Sequence, residues 1–234
     1  MSTTLALPKP EDIRIIVSDV DGTLLDSHHV LPETNPTYAV LRRLRTARPD
    51  LPIVLSTGKP YPATANLRET FNLYEFNAIH LNGNVLYAPG RPGSVISQTG
   101  LDAALVLDMY ATCKSAGISL FVYDTDRPWQ VLPCKTDGPV PWDIALRAYG
   151  EDLQTLARAE EAMRKVRSGE MRVVKMCVCE AESYLPSTSA FCPSLSQLSK
   201  QTGSCPQLPL KVPSFRIFHH TSPPLLPRAH PFRA

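Results

Sequence analysis

Asp19 and Asp21 stand two residues apart, where the apolar run Ile13-Arg14-Ile15-Ile16-Val17 opens into a glycine turn. Carboxylates placed in this way can divide labour: one attacks or binds a metal, while the other gives and takes a proton. Gly22 lets the chain turn sharply and bring backbone N–H groups close to an anion. A solvated turn would use the same residue types, since Asp and Gly are common in turns. A calcium loop is excluded by the spacing. Counted from Asp19, its glycine position holds Leu24 and its closing glutamate position holds Val30.

Two further apolar runs end in polar turns of the same kind. Leu51-Pro52-Ile53-Val54-Leu55 leads into Ser56-Thr57-Gly58-Lys59, and Ala78-Ile79-His80-Leu81 leads into Asn82-Gly83. Between them the periodicity predicts a helix capped by Thr34 or Thr37 and running to about Ala47, and another over roughly 61–72. Strand, helix, strand, helix, strand is the pattern of a parallel α/β sheet. In such sheets ligands bind outside the carboxyl ends of the strands, so the three turns are expected to face one site.

The pattern then changes. Asn82-Gly83 and Pro89-Gly90 punctuate a hairpin with arms at Asn84 to Tyr87 and Ser94 to Ser97. A helix from Leu101 to Lys114, a strand from Ile118 to Tyr123, a charged helix from Glu151 to Arg167 and a strand from Arg172 to Cys179 follow. Alternation within the last strand puts Cys177 and Cys179 on one face.

Composition divides the 234 residues once more. Residues 183–234 hold 9 of the 23 prolines and nine serines, and the last acidic residue of the chain is Glu182. Such a segment is expected to be disordered or poorly packed. It carries five basic groups, so the overall net charge of +2 joins an acidic N-terminal part to a basic tail and does not point to nucleic acid. No apolar run reaches the roughly 18–20 residues of a membrane span, and the N-terminus lacks a basic start followed by an apolar stretch. The expectation is a cytoplasmic protein with no membrane partner. Its six cysteines, 113, 134, 177, 179, 192 and 205, are then reduced, and no pair of them has a convincing zinc spacing.

The string AspValAspGlyThrLeuLeuAsp at 19–26, placed directly after a strand, resembles the first motif of the haloacid dehalogenase-like phosphatase superfamily. LeuSerThrGlyLys at 55–59 looks like its second motif. The spacing to Asn82-Gly83 resembles the Cof-like sugar-phosphatase branch, in which a large α/β cap is inserted after the third core strand. The resemblance covers roughly residues 12–182. It implies that Asp19 is the nucleophile that takes the phosphoryl group, and that Asp21 protonates the leaving oxygen and later deprotonates the attacking water. It implies Mg²⁺ held by the Asp19 carboxylate and the Asp21 backbone carbonyl, and a phosphate gripped by Gly22, Thr57, Gly58, Lys59 and Asn82. Lys59 stands where the branch more often has Arg, which keeps the charge and loses the bidentate fork.

Two further family elements are a lysine after the cap and acidic metal ligands at a later strand end. Lys200 is the one tempting lysine, although no amphipathic helix follows it, and nothing after Glu182 is acidic. The family's last core strands also find no match, which would leave the Asp19 strand at a sheet edge. The fold expected is therefore a three-layer, Rossmann-like parallel sheet, incomplete, with an inserted α+β cap and a disordered C-terminal tail. Its units are residues 1–97, 98–182 and 183–234. The function expected is a magnesium-dependent phosphatase of small phosphorylated metabolites. The alternative is an altered family member that is inactive or binds phosphate esters weakly.

Overall fold

The computed structural model describes residues 9–26, 28–133, 142–179 and 215–218. Strand β1 (Ile16–Ser18) pairs in parallel with β2 (Ile53–Leu55), with Val17 opposite Val54. A parallel bridge from Ser56 to Ile79 carries the sheet on to β3 (Ala78–His80). All three strands therefore point their carboxyl ends the same way, as their apolar runs predict. Helix α1 (Pro36–Ala47) and helix α2 (Ala65–Thr70) lie between them in sequence. Leu41 of α1 and Leu67 of α2 pack with Val20, Leu24, Ile53, Leu55, Phe71 and Leu73 into one core cluster.

The helix caps differ from the sequence expectation. α1 is capped by Asn35, whose side chain accepts the Thr37 amide at 2.9 Å, rather than by Thr34 or Thr37. Pro36 explains this: its fixed φ and missing N–H suit the first helical position, which makes its predecessor the cap. The helix expected over 61–72 is a 3-10 turn, Tyr61–Thr64, followed by the six residues of α2.

Strands β4 (Val85–Tyr87) and β5 (Val95–Gln98) form the expected hairpin, and β4 also pairs antiparallel with β3. After α3 (Ala103–Ala116) comes a second, fully antiparallel sheet. It comprises β6 (Ser119–Tyr123), β7 (Pro128–Leu132), β8 (Lys175–Cys179) and β9 (Phe215–Phe218), in the order β7-β6-β8-β9. α3 is capped by the Asp102 side chain and ends at Gly117, whose φ of 63° is the left-handed conformation glycine adopts without cost. Helix α4 (Trp142–Ala148) precedes helix α5 (Ala159–Ser168).

The helix expected from Glu151 to Arg167 begins only at Ala159, as the ten residues of α5. Gln154 bridges to Trp129, with the Gln154 amide donating to the Pro128 carbonyl and the Gln130 amide to the Gln154 carbonyl. Edge pairing with β7 and burial of Glu151 and Leu153 hold this stretch extended.

The second sheet is covered on both faces. Leu120, Val122 and Met176 face Val106, Cys113, Met163 and Val166 of α3 and α5. Phe121, Tyr123, Cys177 and Cys179 face the other way, onto Tyr61, Ala78, Leu81, Val85 and Tyr87 of the first unit. Cys177 and Cys179 thus share a face, as alternation predicts, and among the described residues neither they nor Cys113 form a disulfide. Strand β9 is a local addition to the expected picture of the tail: four residues, Phe215–Phe218, pair with Met176–Cys179. The rest of the proline-rich segment expected to be disordered, with Lys200, the His219-His220 pair, Cys192 and Cys205, lies outside the described residues, as does Cys134. No described helix is long and apolar enough to cross a membrane.

Candidate functional site

The loop after β1 is organised around Val20. Its carbonyl accepts the amides of Thr23, Leu24 and Leu25, and its side chain is fully buried with Leu24. Burying Val20 turns the residues on either side of it outward, so Asp19 is exposed and Asp21 half-buried. Gly22 takes the bend with φ 71°. Asp19 Oδ1 accepts the Val20 amide at 2.7 Å, which fixes the carboxylate next to its own strand end.

The second turn is anchored across the sheet. The Ser56 amide donates to the Ser18 carbonyl at 2.8 Å, and the Thr57 amide donates to the Ile79 carbonyl at 3.0 Å. The Asn82 amide in turn donates to the Thr57 carbonyl at 3.0 Å. Through these bonds the turns after β1, β2 and β3 meet at one end of the sheet, carrying Asp19, Asp21, Gly22, Thr57, Gly58, Lys59 and Asn82. A Cβ on Gly58 would come within 2.7 Å of Asn82 Oδ1, so a larger residue there would displace the Asn82 side chain. Leu81, Asn82 and Gly83 all have positive φ, at 51°, 60° and 90°. Leu81 is a costly residue in that conformation, and its complete burial holds it there.

Lys59 is 3% exposed and is not free in solvent. Its Nζ lies 3.3 Å from Asp21 Oδ1 and donates to the Tyr149 carbonyl, which follows α4. The same Asp21 oxygen lies 3.0 Å from His29 Nδ1. The rings of His29 and Tyr149 are 4.1 Å apart, tilted by 57°. A second lysine enters from the antiparallel sheet: Lys175 Nζ donates to the Gly58 carbonyl at 3.0 Å. Close by, the Tyr123 hydroxyl donates to Glu151 Oε2 at 2.8 Å. Burial raises the Glu151 pKa, and Lys175, Tyr123 and Lys59 pull against it. Burial also raises Tyr123 well above the ordinary phenol range and pushes the Cys177 thiol up to about 11, which leaves it unreactive at neutral pH.

His29, Tyr149, Glu151 and Lys175 are thus site neighbours that the motifs do not reveal. Lys175 left one trace in the sequence, a lone cation within ValValLysMetCysValCys, a run otherwise apolar enough to be buried.

As a cation site the turns offer hard oxygens, which suit magnesium: the Asp19 carboxylate and the Asp21 carbonyl. Among the described residues no group of three or more His, Cys, Asp or Glu stands together. A magnesium ion held here would draw the rest of its coordination from water and from a phosphate ligand, as this ion commonly does.

A family model described as haloacid dehalogenase-like hydrolase matches residues 16–136. The chain is 36% identical over 175 residues to an uncharacterized hydrolase of Schizosaccharomyces pombe, covering 74% of this chain and 55% of that protein. It spans about half the length of the curated relatives it matches. In fold it is similar to a haloacid dehalogenase-like hydrolase from Bacteroides thetaiotaomicron, with a TM-score of 0.61 at 17% identity over 79% of this chain and 65% of that one. It is also similar to a sugar phosphatase of subclass IIB, with a TM-score of 0.54 at 21% identity over 73% of this chain and 60% of that one.

Proposed function

Because the chain belongs to the haloacid dehalogenase-like hydrolases, we propose that it acts as a phosphatase of small phosphorylated metabolites, sugar phosphates among them. The observation that carries this reading is the meeting of Asp19, Asp21, Thr57, Gly58 and Asn82 at the carboxyl ends of β1, β2 and β3, bound to one another through Ser18, Ser56 and Ile79. In this reading residues 1–97 supply the reaction centre and residues 98–182 form a cap over it. Residues 183–234 contribute no acidic group. That Cys113, Cys177 and Cys179 are buried outside any disulfide among the described residues suits the cytoplasm.

An Asp19 oxygen attacks phosphorus and the bond to the leaving oxygen breaks, while Asp21 gives that oxygen its proton. Asp21 then takes a proton from a water molecule that attacks the aspartyl phosphate, releasing phosphate and restoring Asp19. Thr57, the Gly58 amide, Gly22 and Asn82 hold the phosphoryl oxygens, and Lys59 supplies a positive charge. Magnesium, held by Asp19 and the Asp21 carbonyl, would neutralise charge on the phosphoryl group.

A second reading is favoured by one observation: Lys59 is already engaged by Asp21 and the Tyr149 carbonyl. A chain in which this lysine stays so held would bind phosphate esters weakly and turn them over poorly. Asp19→Asn separates the two. Under the phosphatase reading it lowers turnover of a phosphate monoester by about 10³-fold or more, since an amide of the same shape cannot act as the nucleophile. Turnover by Asp19→Asn at the rate of the parent would remove the assigned chemistry. A parent that binds inorganic phosphate without turning esters over would establish the second reading.

A further inference from the structure

The loop that follows the first motif is held by Asp26. Its Oδ1 accepts the amides of His28 at 2.8 Å and Val30 at 3.2 Å, its own amide donates to the Val30 carbonyl, and the His29 amide donates to its carbonyl. These bonds fix the backbone without any help from the His29 side chain. They leave His29 at φ 59°, a conformation that side-chain-bearing residues adopt at a cost. That strain accompanies one contact, the 3.0 Å approach of Nδ1 to Asp21 Oδ1. The same oxygen faces the Lys59 ammonium, which can only donate, so Oδ1 is the accepting oxygen and Nδ1 carries the hydrogen and donates it. Lys59 Nζ lies 3.3 Å from the same oxygen.

Resting on the phosphatase reading above, we propose that His29 is the positioning residue for Asp21. With Lys59 it occupies Oδ1, so Oδ2 is the oxygen that exchanges the proton with the leaving group. The imidazole is itself steadied from the cap by the Tyr149 ring at 4.1 Å. His29, Lys59 and Tyr149 also form part of the wall of a cavity of about 430 Å³. A molecule entering that cavity therefore meets the groups that aim the acid.

Two variants separate the donor from the ring. His29→Phe keeps an aromatic ring beside Tyr149 and loses the N–H. His29→Asn keeps a donor at a similar distance from the backbone and suits the left-handed conformation, but loses the ring. Each is assayed with an aryl ester, p-nitrophenyl phosphate, whose leaving group departs without a proton, and with an alkyl ester, glycerol 2-phosphate, whose leaving group needs one. A misaimed acid harms only the second. In His29→Phe, kcat for the alkyl ester is expected to fall about tenfold further than for the aryl ester, with KM for the two moving together, and His29→Asn should recover most of that difference. Equal losses on both esters, or no loss on either, would overturn the proposal. The ¹⁵N spectrum of the full chain gives a readout independent of turnover. The His29 ring should be in the Nδ1–H form in the parent and change in Asp21→Ala. An Nε2–H form in the parent overturns the contact whatever the activity. Absence of Asp19-dependent turnover of either ester overturns the phosphatase reading and this role with it, while the spectrum still decides the contact.

Discussion

Strands β6 and β1 are both apolar, yet they end in different surroundings. All five residues of β6, Ser119–Tyr123, are buried. It has a neighbour on each edge, helices on one face and the first unit on the other. β1 pairs with β2 alone among the described residues, and on its open side Ile15 and Val17 are 53% and 57% exposed. The antiparallel sheet is packed on both faces, whereas among the described residues the sheet that carries Asp19 has neighbours only on the β2 side of β1. Apolar content marks a strand; burial also requires partners on both edges and both faces.

The largest effect on stability should follow from opening the antiparallel sheet at its centre. Phe121 is fully buried in the cluster that also holds Tyr61, Tyr87 and Leu146, where the antiparallel sheet meets the first unit. Phe121→Ala is expected to cost about 3–5 kcal/mol in urea unfolding, because the seam cannot close over the volume of a lost ring. A cost under about 1 kcal/mol would mean that the two units are not packed as one core.

A somewhat smaller effect comes from pH, acting at the same seam. His80 is fully buried between Tyr61 and Tyr87, and its Nδ1–H donates to the Lys59 carbonyl at 3.0 Å. Among the described residues its Nε2 has no hydrogen-bond partner. Burial first, and the nearby Arg68 guanidinium as well, lower its pKa to about 4 against the partial support of the Lys59 carbonyl. The unfolded chain, with an ordinary histidine near 6.5, therefore binds more protons between these two values than the folded one does. Stability is full above about pH 6.5 and falls as pH drops toward 4, by roughly 3 kcal/mol for this group. His80→Phe should flatten that slope between pH 7 and 4.5 in a series of thermal melts. A parent as stable at pH 4.5 as at pH 7 would show that the seam admits water.

What the sequence made legible follows the same division between local and distant partners. The strand ends and their turns at Asp19, Thr57 and Asn82 were readable because a strand and the turn after it are neighbours in the chain. The extended stretch at Glu151 to Thr155 was misread as helix because its partners, Tyr123, Pro128 and Gln130, lie more than 20 residues earlier, beyond the reach of any periodicity. For the same reason the motifs pointed to Lys59 but not to Tyr149, which holds it from 90 residues away, nor to Lys175, bonded to Gly58 from 117 residues away. His29 is only eight residues from Asp21, yet it too was hidden. Its side chain reaches the carboxylate through a left-handed backbone that Asp26 imposes, and no spacing rule encodes such a turn.

The smallest expected change in stability tests the uncovered side of the comparison. Val17 sits mid-strand in β1 and alternates with Ile16, which packs onto the core cluster, so its own side chain faces outward. Replacing it by lysine removes little buried area, since more than half of the side chain is already in water, and the long stem can lie along the sheet while the ammonium stays solvated. Val17→Lys should therefore shift unfolding by no more than about 0.5 kcal/mol. Its effect on association should be larger than its effect on stability. An apolar strand edge with open N–H and C=O groups is a template for pairing with other chains, and a charge there is the usual remedy. Light scattering at matched concentration should show less aggregation in Val17→Lys than in the parent, while Val54→Lys, one strand inward and buried, should unfold the chain. If Val17→Lys instead cost about 2 kcal/mol or more, something would cover β1 in solution, and the contrast with β6 would be lost.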